Sequence, residues 1–146
     1  MSATLKRSLA IGLTVFLISP FNSALAGWVF ISNDNLGNAY YYEDSKTVRD
    51  SANSEVSTWQ MISYSEALTA PNGGPTQSVI QDISYFCRAG YESYKQFYIG
   101  YYSGPGGSGV SIEQIDTSSS AWERVIPDTM SYLLYEFFCK PPTPQK

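Results

Sequence analysis

The side chains that most often carry catalysis and metal binding are scarce in this sequence of 146 residues. There is no histidine, which removes the commonest general base, the commonest metal ligand and every Ser-His or Cys-His nucleophile arrangement. Two cysteines, Cys87 and Cys139, are too far apart for a Cys-x-x-Cys redox pair and too few for a zinc site. Adjacent acids such as Glu43 and Asp44 define no glycosidase pair, because their sequence positions do not fix the distance between the carboxylates. We therefore expect no catalytic residue, no metal and no cofactor.

A glycine-rich segment at 103–109 (SGPGGSG) is the nearest approach to a phosphate-binding loop. Such a loop needs a following Lys-Ser or Lys-Thr pair and the start of a helix, and the sequence supplies neither. The segment is therefore predicted to be a flexible hairpin loop.

Tyrosines are the most informative residues of the chain. In the strand predicted at 91–102, Tyr94, Tyr98 and Tyr102 are four residues apart and would therefore share one face, the more polar one. Exposed tyrosines on a rigid sheet suit protein or glycan binding, since each ring offers apolar area and a hydroxyl at low entropic cost. The candidate binding residues are Tyr94, Tyr98, Tyr102, Gly104, Gly106 and Gly107.

The alternative is that these rings are ordinary core and sheet-surface residues. In that case they would lie beneath a C-terminal helix and face Leu134 and Phe138.

The elements that would position these residues are strands followed by one helix, an α+β arrangement. Alternating apolar, β-branched and aromatic residues predict six strands, at 28–31, 39–43, 55–68, 78–87, 91–102 and 110–115. The polar stretch 44–54 and the Pro- and Gly-containing stretch 69–77 are predicted loops.

The helix prediction rests on apolar residues at spacings of three and four. They are Met130, Leu133, Leu134, Phe137 and Phe138. Asp128 is placed to act as the N-cap, and the prolines at 141 and 142 end the helix. Residues 141–146 are expected to be a disordered tail.

The first 26 residues have the pattern of a bacterial secretory signal. Lys6 and Arg7 precede an apolar run at 9–18, and Ala24 and Ala26 are the small residues before a cut at Ala26–Gly27. A membrane anchor is the alternative, but this run is only about half the length that spans a bilayer. We expect an exported protein, in the periplasm, outside the cell or at its surface. No spanning segment remains in the mature chain, and Gly27 stands where a lipid-anchored protein needs cysteine.

Export has two further consequences. Loss of Lys6 and Arg7 leaves 7 basic and 13 acidic residues, a net charge of −6, which disfavours nucleic acid as a partner. An oxidising compartment favours a Cys87–Cys139 disulfide, which would fasten the end of the helix to the strand that ends at Cys87.

Several of these segments together resemble one family of bacterial envelope proteins. The resemblance rests on five features: Trp-Val at 28–29, the segment 40–44 (YYYED), the segment 56–59 (VSTW), the segment 122–129 (WERVIPDT) that leads into the helix, and the two cysteines. In this order they resemble the surface-adhesin protein E-like domain, over residues 28–139 of a domain expected at 27–140. The resemblance implies a bent antiparallel sheet of about six strands with a C-terminal helix tethered by a disulfide.

The same resemblance implies a non-enzymatic binding protein. Its named member binds host matrix and serum proteins such as laminin and vitronectin, is reported to bind haem, and can form homodimers. Haem ligation here would require tyrosine or methionine, because histidine is absent. The expectation is thus a secreted or periplasmic protein with a host or envelope protein as partner. The alternative function is a periplasmic accessory protein of an envelope complex without a host ligand.

Overall fold

The computed structural model describes residues 27–140, so the predicted signal segment and the predicted tail lie outside the described residues. Eight strands and one helix are present in this range. The strands are β1 (Trp28–Asn33), β2 (Ala39–Glu43), β3 (Val48–Asp50), β4 (Glu55–Thr69), β5 (Pro75–Phe86), β6 (Ser93–Tyr102), β7 (Ser111–Asp116) and β8 (Glu123–Arg124), and the helix is α1 (Met130–Cys139). Short 3₁₀ turns occupy Asp44–Lys46 and Pro105–Gly107.

All strands pair antiparallel in one sheet of order β1-β2-β4-β5-β6-β7, while β3 pairs with β4 and β8 pairs with β6. The predicted antiparallel sheet with a C-terminal helix is confirmed. Strands β3 and β8 are not among the predicted strands, because at three and two residues they are too short to show a period.

The helix covers one side of the sheet, which we call the helix face. Tyr85 and Phe138 are almost fully buried there, and their rings stack with centroids 5.4 Å apart. The predicted Cys87–Cys139 disulfide is confirmed and joins the end of α1 to the residue after β5. The Arg49 guanidinium of β3 also donates a hydrogen bond to the Phe138 carbonyl near the end of the helix. Two strands therefore hold the C-terminal end of α1.

Two details of the predicted helix are wrong. Thr129, not Asp128, is the N-cap: its side-chain oxygen accepts from the Tyr132 N–H, whereas Asp128 has a left-handed backbone with φ of 62°. Leu133 is 56% exposed, and Tyr135 is buried in its place. The apolar spacing located the helix, but the position of the sheet decides which side of it is covered.

The opposite side of the sheet, here the outer face, has its own apolar patch. Met61 on β4 is fully buried although it points away from the helix, because the 3₁₀ turn Pro105–Gly107 packs over it. The sheet thus has a core on both faces, a large one under α1 and a small one under this turn.

Candidate binding surface

The register of β6 separates the three predicted tyrosines. Tyr94 lies opposite Tyr85 of β5, and Tyr98 lies opposite Asp82, so four steps along β6 match three steps along β5. A β-bulge of this kind moves the following residues to the other face. Tyr98 and Tyr102 therefore lie on the outer face and Tyr94 on the helix face, and the prediction that all three share one face is wrong.

Tyr94 is part of the packing beneath the helix. Its half-buried ring packs against the core that contains Leu134 and Phe138, as in the alternative interpretation. Its hydroxyl donates to Glu123 Oε2 at 2.7 Å. Burial, followed by this hydrogen bond to a carboxylate, raises the pKa of Tyr94 to about 12. Tyr94 thereby links β6 to β8.

The outer face carries a strip of half-buried rings, which we call the outer aromatic strip: Trp59, Tyr98 and Tyr102. The ring centroids of Trp59 and Tyr98 are 5.6 Å apart across β5. Gly100 makes the close approach of the two tyrosines possible, since a Cβ there would lie 2.6 Å from the Tyr98 hydroxyl and 3.2 Å from a ring carbon of Tyr102. The rings lean towards each other over a residue without a side chain.

One carboxylate lies in this strip. Asp82 of β5 is opposite Trp59 on one side and Tyr98 on the other. Partial burial raises its pKa, and no side chain within residues 27–140 donates a hydrogen bond to it or forms an ion pair with it. The neighbouring cation, Lys46, lies 5.2 Å above the Trp59 ring and pairs with Glu43 at 3.0 Å.

The glycine-rich loop is closed onto the sheet, which differs from the flexible loop predicted. The Gly107 N–H donates to Ser78 Oγ at 2.9 Å, the Ser78 hydroxyl donates to the Gly104 carbonyl at 2.6 Å, and the Gly106 N–H donates to Ser63 Oγ at 3.1 Å. Gly106 is buried. These hydroxyls come from β4 and β5, so sequence proximity could not have revealed them. The loop lies beside the strip as a fixed border.

A second aromatic surface, absent from the sequence predictions, lies at the end of the sheet near β8. Here Phe86, Tyr91 and Trp122 line a groove of about 470 Å³ together with Asn53, Glu55 and Ser93. Tyr91 is 65% and Trp122 43% exposed. Trp122 reaches this groove through the pairing of β8 with β6, which its sequence position does not indicate.

No group of three or more cysteine, aspartate and glutamate side chains within residues 27–140 is placed to hold a metal ion. In the same range, no helix is long and apolar enough to cross a membrane.

A single antiparallel sheet and one disulfide-tethered helix define a small α+β domain with an aromatic outer surface. The chain belongs to the surface-adhesin protein E family, whose model matches residues 28–140. No curated protein sequence matches it.

Solved structures of Haemophilus influenzae protein E have a similar fold. Its selenomethionine form is 19% identical with a TM-score of 0.56, over 77% of this chain and 86% of that one. Its crystal form II is 17% identical with a TM-score of 0.55, and the match covers 79% of this chain and 88% of that one. Protein E from non-typeable Haemophilus influenzae is 18% identical with a TM-score of 0.52, and the match covers 79% of this chain and 76% of that one.

Proposed function

We propose that this chain is an exported, non-enzymatic adhesin-like protein that binds a host matrix or serum protein through the outer aromatic strip. Family membership supports the adhesin-like class, and the signal pattern at 1–26, with its cut at Ala26–Gly27, supports export. The partner class, the cleavage and the contact residues are parts of the proposal.

The observation that carries the proposal is the fixed arrangement of the strip. Tyr98 rests against Trp59 on one side and over Gly100 on the other. Rings held in this way lose little conformational freedom when a partner covers them, and aromatic residues of this type supply much of the binding energy in protein interfaces. The closed loop at Gly104, Gly106 and Gly107 gives the strip a rigid border on which a partner would also rest.

Asp82 indicates the chemistry of the partner. A partly buried carboxylate without an ion-pair partner costs stability, and the cost is reduced when a lysine or arginine arrives from outside. The mature chain is also acidic, with a net charge of −6, which favours encounter with a basic surface. We therefore place a basic side chain of the partner against Asp82, between Trp59 and Tyr98.

The alternative, a periplasmic accessory protein of an envelope complex, is favoured by one observation. Gly27 is the proposed first mature residue, at the position where a lipid tether would need cysteine. Fractionation and protease treatment of intact cells separate the two functions: digestion on intact cells supports the adhesin, and protection until the outer membrane is opened supports the accessory protein.

The direct test uses the mature protein and immobilised laminin and vitronectin. We expect saturable binding to at least one of them that weakens with salt, and an affinity about tenfold lower for Asp82→Asn. Glu66→Gln is the matched control, because Glu66 is an exposed carboxylate at the far end of β4. Failure of the wild type to bind either protein, or an equal loss in both variants, would contradict the proposal. Light scattering of the same sample gives the oligomeric state, which tests the expected homodimer.

A further inference from the structure

A second cavity lies on the helix face, away from the outer aromatic strip. It has a volume of about 470 Å³, within the range of about 300–1,000 Å³ that is typical of small-molecule sites. Tyr85 and Gln81 of β5 and Tyr94 of β6 form part of its wall, and Met130 and Leu134 of α1 cover it. The cavity thus lies between the sheet and the first turns of the helix.

A chain of hydrogen bonds crosses the sheet at this cavity. The side-chain amide nitrogen of Gln96 donates to the side-chain oxygen of Gln81 at 2.8 Å. The amide nitrogen of Gln81 donates in turn to the side-chain oxygen of Gln60 at 3.2 Å. The amide nitrogen of Gln60 then donates to the Tyr85 hydroxyl at 2.8 Å. All three amides donate in the same direction, so the Gln96 oxygen remains free to accept and the Tyr85 hydroxyl free to donate. Burial raises the pKa of Tyr85, which keeps that proton in place.

Another polar group of the wall is unpaired. The Thr117 hydroxyl is shielded from solvent and has no hydrogen-bond partner within residues 27–140. Leaving a buried hydroxyl unpaired destabilises the folded protein. Thr117 lines the cavity, so a ligand in the cavity would lie beside this side chain.

The charges of the wall restrict the ligand. No lysine or arginine is among the described residues that line the cavity, so it has no counter-charge for a phosphate or a carboxylate. The carboxylate of the wall, Glu123, is exposed at the edge of the cavity and already accepts a hydrogen bond from the Tyr94 hydroxyl. The interior offers neutral amides, hydroxyls and aromatic rings, a combination suited to a ligand with many hydroxyls and one apolar ring face.

We propose that this cavity binds one neutral sugar ring, either a free sugar or the end of a glycan. The Gln96 side-chain oxygen and the Tyr85 hydroxyl, which the chain of hydrogen bonds leaves free, would bind its hydroxyls, and Tyr94 would cover a face of the ring. This site is separate from the outer aromatic strip and does not depend on the protein partner proposed there.

The test is an NMR titration of the mature protein with glucose, galactose, mannose and N-acetylglucosamine, and with their methyl glycosides. We expect saturable millimolar shifts of the Gln81 and Gln96 side-chain amides with at least one sugar. If the methyl glycoside binds as well as the free sugar does, the ligand is the end of a glycan. If the free sugar binds and its methyl glycoside does not, the ligand is a free sugar. Choline chloride and sodium phosphate are the charged probes. Absence of saturable shifts with every sugar, or stronger binding of choline or phosphate, would overturn the proposal.

Variants separate a binding role from a structural one. Thr117→Val keeps the shape of the side chain and should lower sugar affinity about tenfold without lowering the melting temperature. Thr69→Val, at the exposed end of β4, is its control. Sugar affinity that is unaltered in both Thr117→Val and Gln96→Met would show that the cavity is not the site.

Discussion

At the scale of single residues, Asp82 connects stability with the proposed contact. Partial burial raises its pKa in the folded protein, so the folded state binds this proton more tightly than the unfolded chain. The favourable contribution is therefore fully present below the unfolded pKa of about 3.9 and is lost as pH rises through the folded value. At neutral pH the charged side chain is a cost.

We predict that Asp82→Asn raises the free energy of unfolding at pH 7 and that the gain disappears near pH 3. Urea denaturation at a series of pH values measures it. A gain of equal size at both pH values, or no gain at pH 7, would show that Asp82 is not a destabilising carboxylate.

Gly107 provides a second prediction at this scale. Its φ of 76° is strained for any other residue, and an added Cβ would lie 2.9 Å from Ile80 Cδ1. Gly73 has a similar φ of 89° but nothing within 4 Å of such a Cβ. Both alanine variants should lose about 1 kcal/mol from backbone strain, and Gly107→Ala should lose a further 1 kcal/mol or so from packing. Equal melting temperatures for the two variants would contradict the close packing of the loop on the outer face.

At the scale of elements, the helix was predictable and the bulge was not. Apolar residues at spacings of three and four identify α1 from the sequence alone. The bulge in β6 arises from pairing with β5, and β6 by itself reads as a regular alternating strand. One extra residue then moved Tyr98 and Tyr102 away from Tyr94, so the strand was found but its faces were misassigned.

The disulfide gives the prediction for α1. Replacing both Cys87 and Cys139 with serine should lower stability by about 2–5 kcal/mol, because the unfolded chain gains freedom and one attachment of the helix is lost. Denaturant unfolding of the variant and the oxidised wild type measures the change. Unchanged stability, or two free thiols in the purified non-reduced protein, would contradict a structural disulfide.

At the scale of the whole molecule, the prediction of export rests on the sequence pattern of residues 1–26, which lie outside the described residues. We predict that the secreted protein begins at Gly27, because charged, apolar and small residues succeed one another in the order of a cleavable signal. Intact mass of the exported protein measures this, and a retained Met1 would contradict it.

The class of fold and the disulfide followed from composition, periodicity and cysteine count, which are local or additive properties. The outer aromatic strip and the second aromatic surface could not be predicted from the sequence, because each is formed by residues from distant segments of the chain. Trp59 meets Tyr98 only through two strand pairings, and Trp122 reaches Phe86 only through β8. The tyrosine-rich strand was therefore predictable from the sequence, and the tryptophan beside it was not.

The most direct test of the adhesin-like function compares Tyr98→Ala and Tyr102→Ala with Tyr91→Ala, which removes an exposed tyrosine of the second aromatic surface. For each variant, affinity for the immobilised host protein that the wild type binds is measured together with the melting temperature. The outer aromatic strip predicts a loss on the order of 2 kcal/mol, roughly 30-fold, for the first two variants at nearly unchanged melting temperature, and little change for Tyr91→Ala. Full affinity in both strip variants, or early unfolding of both, would contradict a binding role for this strip.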